Sequence, residues 1–280
     1  MTITLARMED MSLQHYIKDV VLPLKWAERV VNVPLVCSTA RQRFEADVVW
    51  LPNFMDEGRG WVYFDPVGTD TYVADAPPSE EQTTRVVVNN EVGSAIAVDN
   101  YTVNYADGAI TASGITMTPQ GVPTTVDFTQ YYVSVVDGWP GTDPPPAPIV
   151  AIDIAGFSKK GFQLGGGRKS IRRGVFHIFA TSSAERDDLT EWLHDSIYNR
   201  GVSVQDWRGG EPLNYDGTFN TTFSGTLLQL SDEDDALFKF DNISVDYISV
   251  RQDWSDMNRW RSKISFDMTS YRDGFDFNVL

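Results

Sequence analysis

The stretch that decides the fold is Val175-Phe176-His177-Ile178-Phe179-Ala180-Thr181-Ser182-Ser183-Ala184-Glu185-Arg186-Asp187-Asp188-Leu189. Its first six residues are mostly β-branched or aromatic, which suits a pleated, half-buried surface. Ser182 and Glu185 then stand three residues apart, the spacing of a capping box. Leu189, Trp192, Leu193 and Ile197 continue as one apolar stripe, which predicts a helix over about Ala184 to Arg200 with Gly201 placed to end it. A strand that runs directly into an amphipathic helix predicts a sheet flanked by helices.

Working outward, Ile149 to Ile154 reads as a strand, and Phe157 to Arg173 as a Gly- and Lys/Arg-rich loop or hairpin. Phe238 to Arg251 is β-like, with Val245, Tyr247 and Ser249 on one side, and Phe223 to Leu230 is β-like as well. From Trp260 to Tyr271, Ile264, Phe266 and Met268 alternate with Lys263, Ser265, Asp267 and Thr269, the pattern of a strand with one dry face. Near the N-terminus Leu13, Tyr16, Ile17, Val20, Val21 and Leu24 form a helical stripe that Ser12 could cap, with a break near Leu22 imposed by Pro23. Leu24 to Val31 reads as a second short helical turn. Leu35 to Ser38, Glu45 to Leu51 and Trp61 to Asp65 follow as strands, and Thr69 to Gln82 reads as a linker.

Residues 83–138 read as an inserted β unit. Arg85 to Val88 is a strand. Tyr101 to Tyr105 and Ala109 to Thr111 form a hairpin around Ala106-Asp107-Gly108, whose Asp-Gly step supplies the positive φ of a tight turn. Val126 to Val136 reads as one long strand. A stiff proline-rich connector, 139–148, closes the unit. The expected class is therefore α+β and β-rich: a mixed or antiparallel sheet flanked by helices, built from 1–82 and 149–280, with an all-β insertion.

The chain of 280 residues carries 23 basic and 39 acidic side chains, a net charge of −16, so its surface as a whole is unsuited to a nucleic-acid backbone. A single cysteine, Cys37, excludes an intrachain disulfide and reads as a buried, inert thiol in an apolar strand. No apolar run is long enough for a membrane span, and residues 1–10 lack the apolar core of a secretory signal. The single cysteine suggests synthesis and folding in a reducing cytosol.

Sequence gives little sign of bond-making chemistry. His15, His177 and His194 fall on two helices and a strand, and no cysteine pair could join them at a zinc site. No Gly-x-Ser-x-Gly elbow occurs. Gly161 to Ser170 fails as a phosphate-binding loop, because Arg168 displaces the lysine and a strand follows where a helix is required. Asp232-Glu233-Asp234-Asp235 lacks EF-hand spacing. No cofactor or metal is expected, and an enzyme is not.

The notable local feature is charge. Lys159, Lys160, Arg168, Lys169, Arg172 and Arg173 place six of the 23 basic residues within 15 positions of an acidic chain. Read plainly, they are a solvated hairpin. Read functionally, they are a contact for an acidic neighbouring subunit, another copy of this chain among the candidates, or for passing DNA.

Phe162-Gln163-Leu164-Gly165, then Arg172 to Ala180 leading into Glu185-Arg186-Asp187-Asp188-Leu189, and the closing strand Ile264 to Met268 resemble the neck and tail-terminator proteins of tailed bacteriophages. The hairpin Tyr101 to Ile110 is similar to a β pattern of phage virion proteins. The resemblance covers about Ile149 to Tyr271 and is one of pattern, with no shared motif; the inserted β unit departs from it. It implies a homo-oligomeric ring, sixfold for terminators and twelvefold for adaptors, in contact with other neck and tail-tube proteins. It also implies a place in the virion after synthesis in the host cytoplasm, and no catalytic residues. Competing expectations are another virion component (adaptor, stopper or baseplate) or a carbohydrate-binding β module using Trp50, Trp61, Trp139, Trp207, Trp254 or Trp260. A carboxylate hydrolase is the weakest reading.

Overall fold

The computed structural model describes residues 4–38, 43–46, 87–90, 92–96, 100–104, 109–112, 123–141, 147–161, 167–211, 214, 220, 222–223, 227–228, 237–249 and 260–272. The chain is α+β and β-rich. It divides into two compact units, one of Met1–Val21, Val133–Arg208 and Gly225–Leu280, the other of Leu22–Tyr132 and Gly209–Ser224.

The first unit is built on a six-stranded sheet in the order β10-β11-β12-β9-β8-β7. Its strands are β7 (Ser134–Asp137), β8 (Ile149–Gly161), β9 (Arg168–Ala180), β10 (Gly201–Ser203), β11 (Leu237–Ser249) and β12 (Trp260–Arg272). Only β7 and β8 pair in parallel, so the sheet is mixed. Phe176, Ile178, Ile264, Phe266 and Met268 are buried along one face, as the alternation of Trp260–Tyr271 predicts. Burial of these side chains is the main driving force holding the helices to this face.

Two helices supply the cover. The helix α1 (Leu5–His15) is capped by Thr4, which accepts from the Arg7 amide, and runs on through a π-helical segment, Tyr16–Val21. The expected Ser12 cap is thus corrected. Ser12 lies inside the helix, buried, and its hydroxyl accepts from the Gln205 amide and from Trp207 Nε1, both at 2.9 Å. Among the described residues a second long helix, Ser183–Ile197, buries Leu189, Thr190, Leu193 and Ile197. Ser182 caps it through the Glu185 amide at 3.1 Å, while the Glu185 carboxylate reaches back to Thr181. Gly201 does not end it: Asn199, at φ +55°, takes the left-handed turn that Asn tolerates, and Gly201 opens β10.

Among the described residues of the second unit the helical element is one turn, α2 (Pro23–Trp26), and the helix Ser183–Ile197 is numbered α3. The sheet of the second unit runs β3-β6-β1-β2-β5-β4. These strands are β1 (Ala27–Ser38), β2 (Arg43–Ala46), β3 (Val87–Asn90), β4 (Tyr101–Asn104), β5 (Ala109–Ala112) and β6 (Pro123–Tyr131). The β4–β5 hairpin forms in the expected place, with Asn104 opposite Ala109.

Three expectations differ from this arrangement. The helical turn read over Leu24 to Val31 stops at Trp26, and β1 starts at Ala27, paired to β6. Asn32, at φ +56°, interrupts the alternation of β1 and donates its amide to Asp127 Oδ1 at 2.6 Å, which hides a strand from periodicity. Val126 to Val136 is two strands: β6 pairs with β1 and β3, whereas β7 lies beside β8 in the other sheet. Consequently 27–46 joins the strands of 83–138, and 133–138 belongs with the first unit, which redraws the expected boundaries 1–82, 83–138, 139–148 and 149–280. The strands expected at 47–51 and 61–65, the linker 69–82, the turn 106–108 and the acidic run 232–235 lie outside the described residues. Residues 223–230 show a single bridge, Gln205 to Leu227, among the described residues.

Candidate interaction surface

The basic stretch is a strand pair, with β8 running to Gly161 and β9 starting at Arg168. Residues 162–166 lie outside the described residues. A bulge at Gly156, φ +60°, shifts the alternation of β8 by one position, so Lys160 sits opposite Lys169 and Lys159 opposite Ser170. Side chains on opposed residues share a face. Lys160 and Lys169 therefore share one face with Tyr271, and Lys169 Nζ lies 5.5 Å from the Tyr271 ring centre. Arg173 is on that same face, its side chain 85% exposed, 3.9 Å from Asp267. Arg168 is placed by its backbone alone, opposite Gly161 and Arg272.

Arg172 departs from the expectation of a subunit contact. One residue on from Ile171, it points to the helix face, and α1 consumes its guanidinium. Nη1 donates to the Ala6 carbonyl and Nη2 to Asp10 Oδ2, both at 2.7 Å, with the buried Glu9 carboxylate 3.7 Å away. The strand alternation that exposes Arg173 is the physical reason its neighbour turns inward.

The opposite face of this sheet holds a cluster that sequence reading missed. After β7 the chain turns at Gly138, φ +71°, and lays Trp139 beside His177 and Phe179, ring centres 5.0 and 5.5 Å apart. Below it Ile149, Ala151 and Phe179 form a small apolar cluster with Val136. The Arg261 guanidinium lies 4.4 Å from the Trp139 ring centre and donates from Nη2 to His177 Nδ1 at 2.8 Å. Acceptance at Nδ1 leaves the imidazole proton on Nε2. Trp139 remains 54% exposed. Only the register brings these groups together, Arg261 opposite Phe179 and Lys263 opposite His177. The legible signal was limited to Trp139 itself, in a turn after a strand.

Burial, then the Arg261 charge, hold the His177 imidazole down at about 4 from its ordinary 6.5; Asp153 opposes and Lys263 assists. Burial also lowers the Arg261 guanidinium. A base near 4 is poorly matched to proton transfer at neutral pH. Between pH 6.5 and about 4 the unfolded chain binds a proton that the folded chain refuses, so this group erodes stability as pH falls through that window. Above 6.5 its contribution is constant. By NMR, the His177 ring should stay neutral at pH 5.5, and Arg261→Met should raise its midpoint.

A groove of about 600 Å³ lies beside α3, lined by Asp187, Glu191 and His194 and floored by Val245 and Tyr247. Arg186 stacks on Tyr247, 4.8 Å from its centre, and pairs with Asp187 at 2.6 Å. His194 stacks on Tyr198, and His15 is buried against Asp19 Oδ2 at 2.6 Å, edge-on to Trp207. All three histidines thus have defined partners within the fold. No three His, Cys, Asp or Glu side chains converge on a metal-sized site among the described residues. Nor is any helix among them long and apolar enough to cross a membrane. Cys37 lies on β1 opposite Phe44. Of the tryptophans weighed for sugar binding, Trp207 is buried, Trp260 is partly buried and stacked by Arg186, and Trp50, Trp61 and Trp254 lie outside the described residues.

These features define a β-rich α+β protein of two sheets, one covered by helices on a single face and charged on the other. No protein-family model matches the chain, and no curated protein matches it in sequence.

Proposed function

We propose that the chain is a structural protein of a tailed-bacteriophage virion, a subunit of an oligomeric ring in the neck at the head–tail junction, as tail terminator or connector. The observation that carries the assembly part of this reading is the charged sheet face away from the helices, with exposed Trp139 beside Arg261 at one end. Tryptophan and arginine are enriched among the residues that carry binding energy at protein interfaces, and here an exposed Trp and an Arg stand side by side. The resemblance carried by Phe162–Leu189 and Ile264–Met268 supports the phage assignment. Its partners are copies of itself and other neck and tail-tube proteins, with genomic DNA passing near the basic hairpin. Adaptor, stopper and baseplate roles use the same surface.

A sugar-binding module is less well supported, because Arg261 already occupies the Trp139 ring and no second exposed tryptophan extends a platform among the described residues. Light scattering on the purified 31.4 kDa chain separates the readings. A discrete multimer, ring-shaped in negative stain, is expected. A monomer at all accessible concentrations that is retained on polysaccharide would reverse the assignment.

A further inference from the structure

Resting on that assembly reading, we infer that copies join head to tail, the outer side of α3 in one copy lying on the open sheet face of the next. Charge and spacing within the first unit favour this contact. α3 carries Glu185, Asp187, Asp188, Glu191 and Asp195 against one arginine, and Asp187, Asp188, Glu191 and Asp195 are exposed. The residues of α3 that are buried, Leu189, Thr190, Leu193 and Ile197, face the sheet, where Thr190 bonds Ser262 at 2.5 Å. Asp188 and Asp195 therefore lie on the side of α3 away from the sheet, with Asp187 and Glu191 along its flank at the groove.

On the far face of the same sheet the balance reverses. Lys239, Arg261 and Lys263 join Lys160, Lys169 and Arg173, as the registers of β8, β9, β11 and β12 show. Asp153, Asp241, Asp246 and Asp267 are the acids of that face. Six cations against four anions is a net positive face in a chain of net charge −16. Everywhere else the chain is on average strongly acidic, so this face, net positive despite its four carboxylates, suits an acidic surface better than the rest of the chain does.

The dimensions agree. Lys263 and Arg173 lie two cross-strand rows apart, since Lys263 opposes His177 and Asp267 opposes Arg173. Two rows are four residues of strand, about 13 Å. Asp187 to Asp195 spans eight residues of helix, about 12 Å. Trp139 stands beside Arg261 at one end of this track, where it can be covered. Because the two surfaces lie on opposite sides of one sheet, they cannot meet within a copy. Their contact is heterologous, and it closes into a ring or extends as a filament according to the rotation per copy.

The test is a charge exchange in the full chain. Arg173→Glu with Lys263→Glu makes the sheet face acidic, and Asp188→Lys with Glu191→Lys makes the helix basic. Each pair alone should raise the concentration of half-assembly at least about tenfold, since like charges then face each other. An equimolar mixture of the two variants, and the chain carrying all four changes, should assemble again. Circular dichroism of each variant confirms folding beforehand. Wild-type assembly should weaken as salt is raised past about 0.15 M, where the screening length is about 8 Å. If both pairs assemble like wild type, or if neither the mixture nor the fourfold variant recovers, the interface is wrong while the ring reading stands. A wild-type chain that is itself monomeric removes the assembly reading and the interface together.

Discussion

Arg172→Ala is expected to lose about 3 kcal/mol of unfolding free energy, measured by urea denaturation, while leaving the assembly surface intact. The guanidinium is the link between β9 and α1, satisfying the Ala6 carbonyl and Asp10 at once, with Glu9 buried beside it. Removing it breaks the ion pair with Asp10 and takes a cation from beside a carboxylate that is only 3% exposed, and breaking a largely buried ion pair is a costly single change. The value sits at the low end of the range for broken buried pairs because Asp10, 30% exposed, can recover hydration. Arg172→Lys should recover little, since one ammonium cannot reproduce the fork that spans two acceptors. Adding Glu9→Gln to Arg172→Ala should restore part of the loss. A variant of unchanged stability but altered oligomer size would move Arg172 from the interior to a subunit contact.

Gly174→Val is expected to lower stability by about 3 kcal/mol, and Gly174→Ala by somewhat less. The reason is space. A Cβ at residue 174 would clash with the Cε2–Cζ edge of the Phe266 ring, directly opposite on β12. That ring cannot step aside, because Phe176 lies 4.5 Å and Phe240 5.3 Å from it, centre to centre. The phenyl group covers the glycine and fills the place its missing side chain leaves in the sheet. Gly174→Ala combined with Phe266→Leu should therefore cost less than the sum of the two single changes. A coupling of at least about 1 kcal/mol in the double-mutant cycle is the signature. Strict additivity would show that the contact carries no strain.

The local elements were legible where one signal dominated. Ser182 with Glu185 marked the start of α3, and the alternation of Ile264, Phe266 and Met268 marked β12 and its buried face. β4 and β5 pair, with Asn104 opposite Ala109, on either side of the Asp-Gly step that predicted a hairpin. Legibility failed where two signals competed. Ser12 has the chemistry of a cap, yet donors from a segment nearly two hundred residues away claimed its hydroxyl. In β1 the Asn32 bulge broke the alternation, so an apolar stretch after Pro23 passed for helix.

The candidate site divides the same way. The six basic residues 159–173 were visible as a cluster because they are adjacent in sequence. That Arg172 turns inward while Arg173 stays out, and that Gly156 reverses the order for Lys159 and Lys160, depends on strand phase, which a bulge resets by one residue. The Trp139, His177, Phe179 and Arg261 cluster was invisible, because its members are brought together only by the β9–β12 register and by the turn at Gly138.

From its residues alone, then, this chain determines its β-rich α+β class, the capped helix, the dry faces of its strands and the existence of a basic segment in an acidic protein. These depend on periodicity and local hydrogen bonding, which act over a few residues. Which strands share a sheet, which face each charge occupies and which arginine is consumed inside were decided only by the tertiary structure. Pairing between distant strands is set by register and burial, and neither is written at any single position.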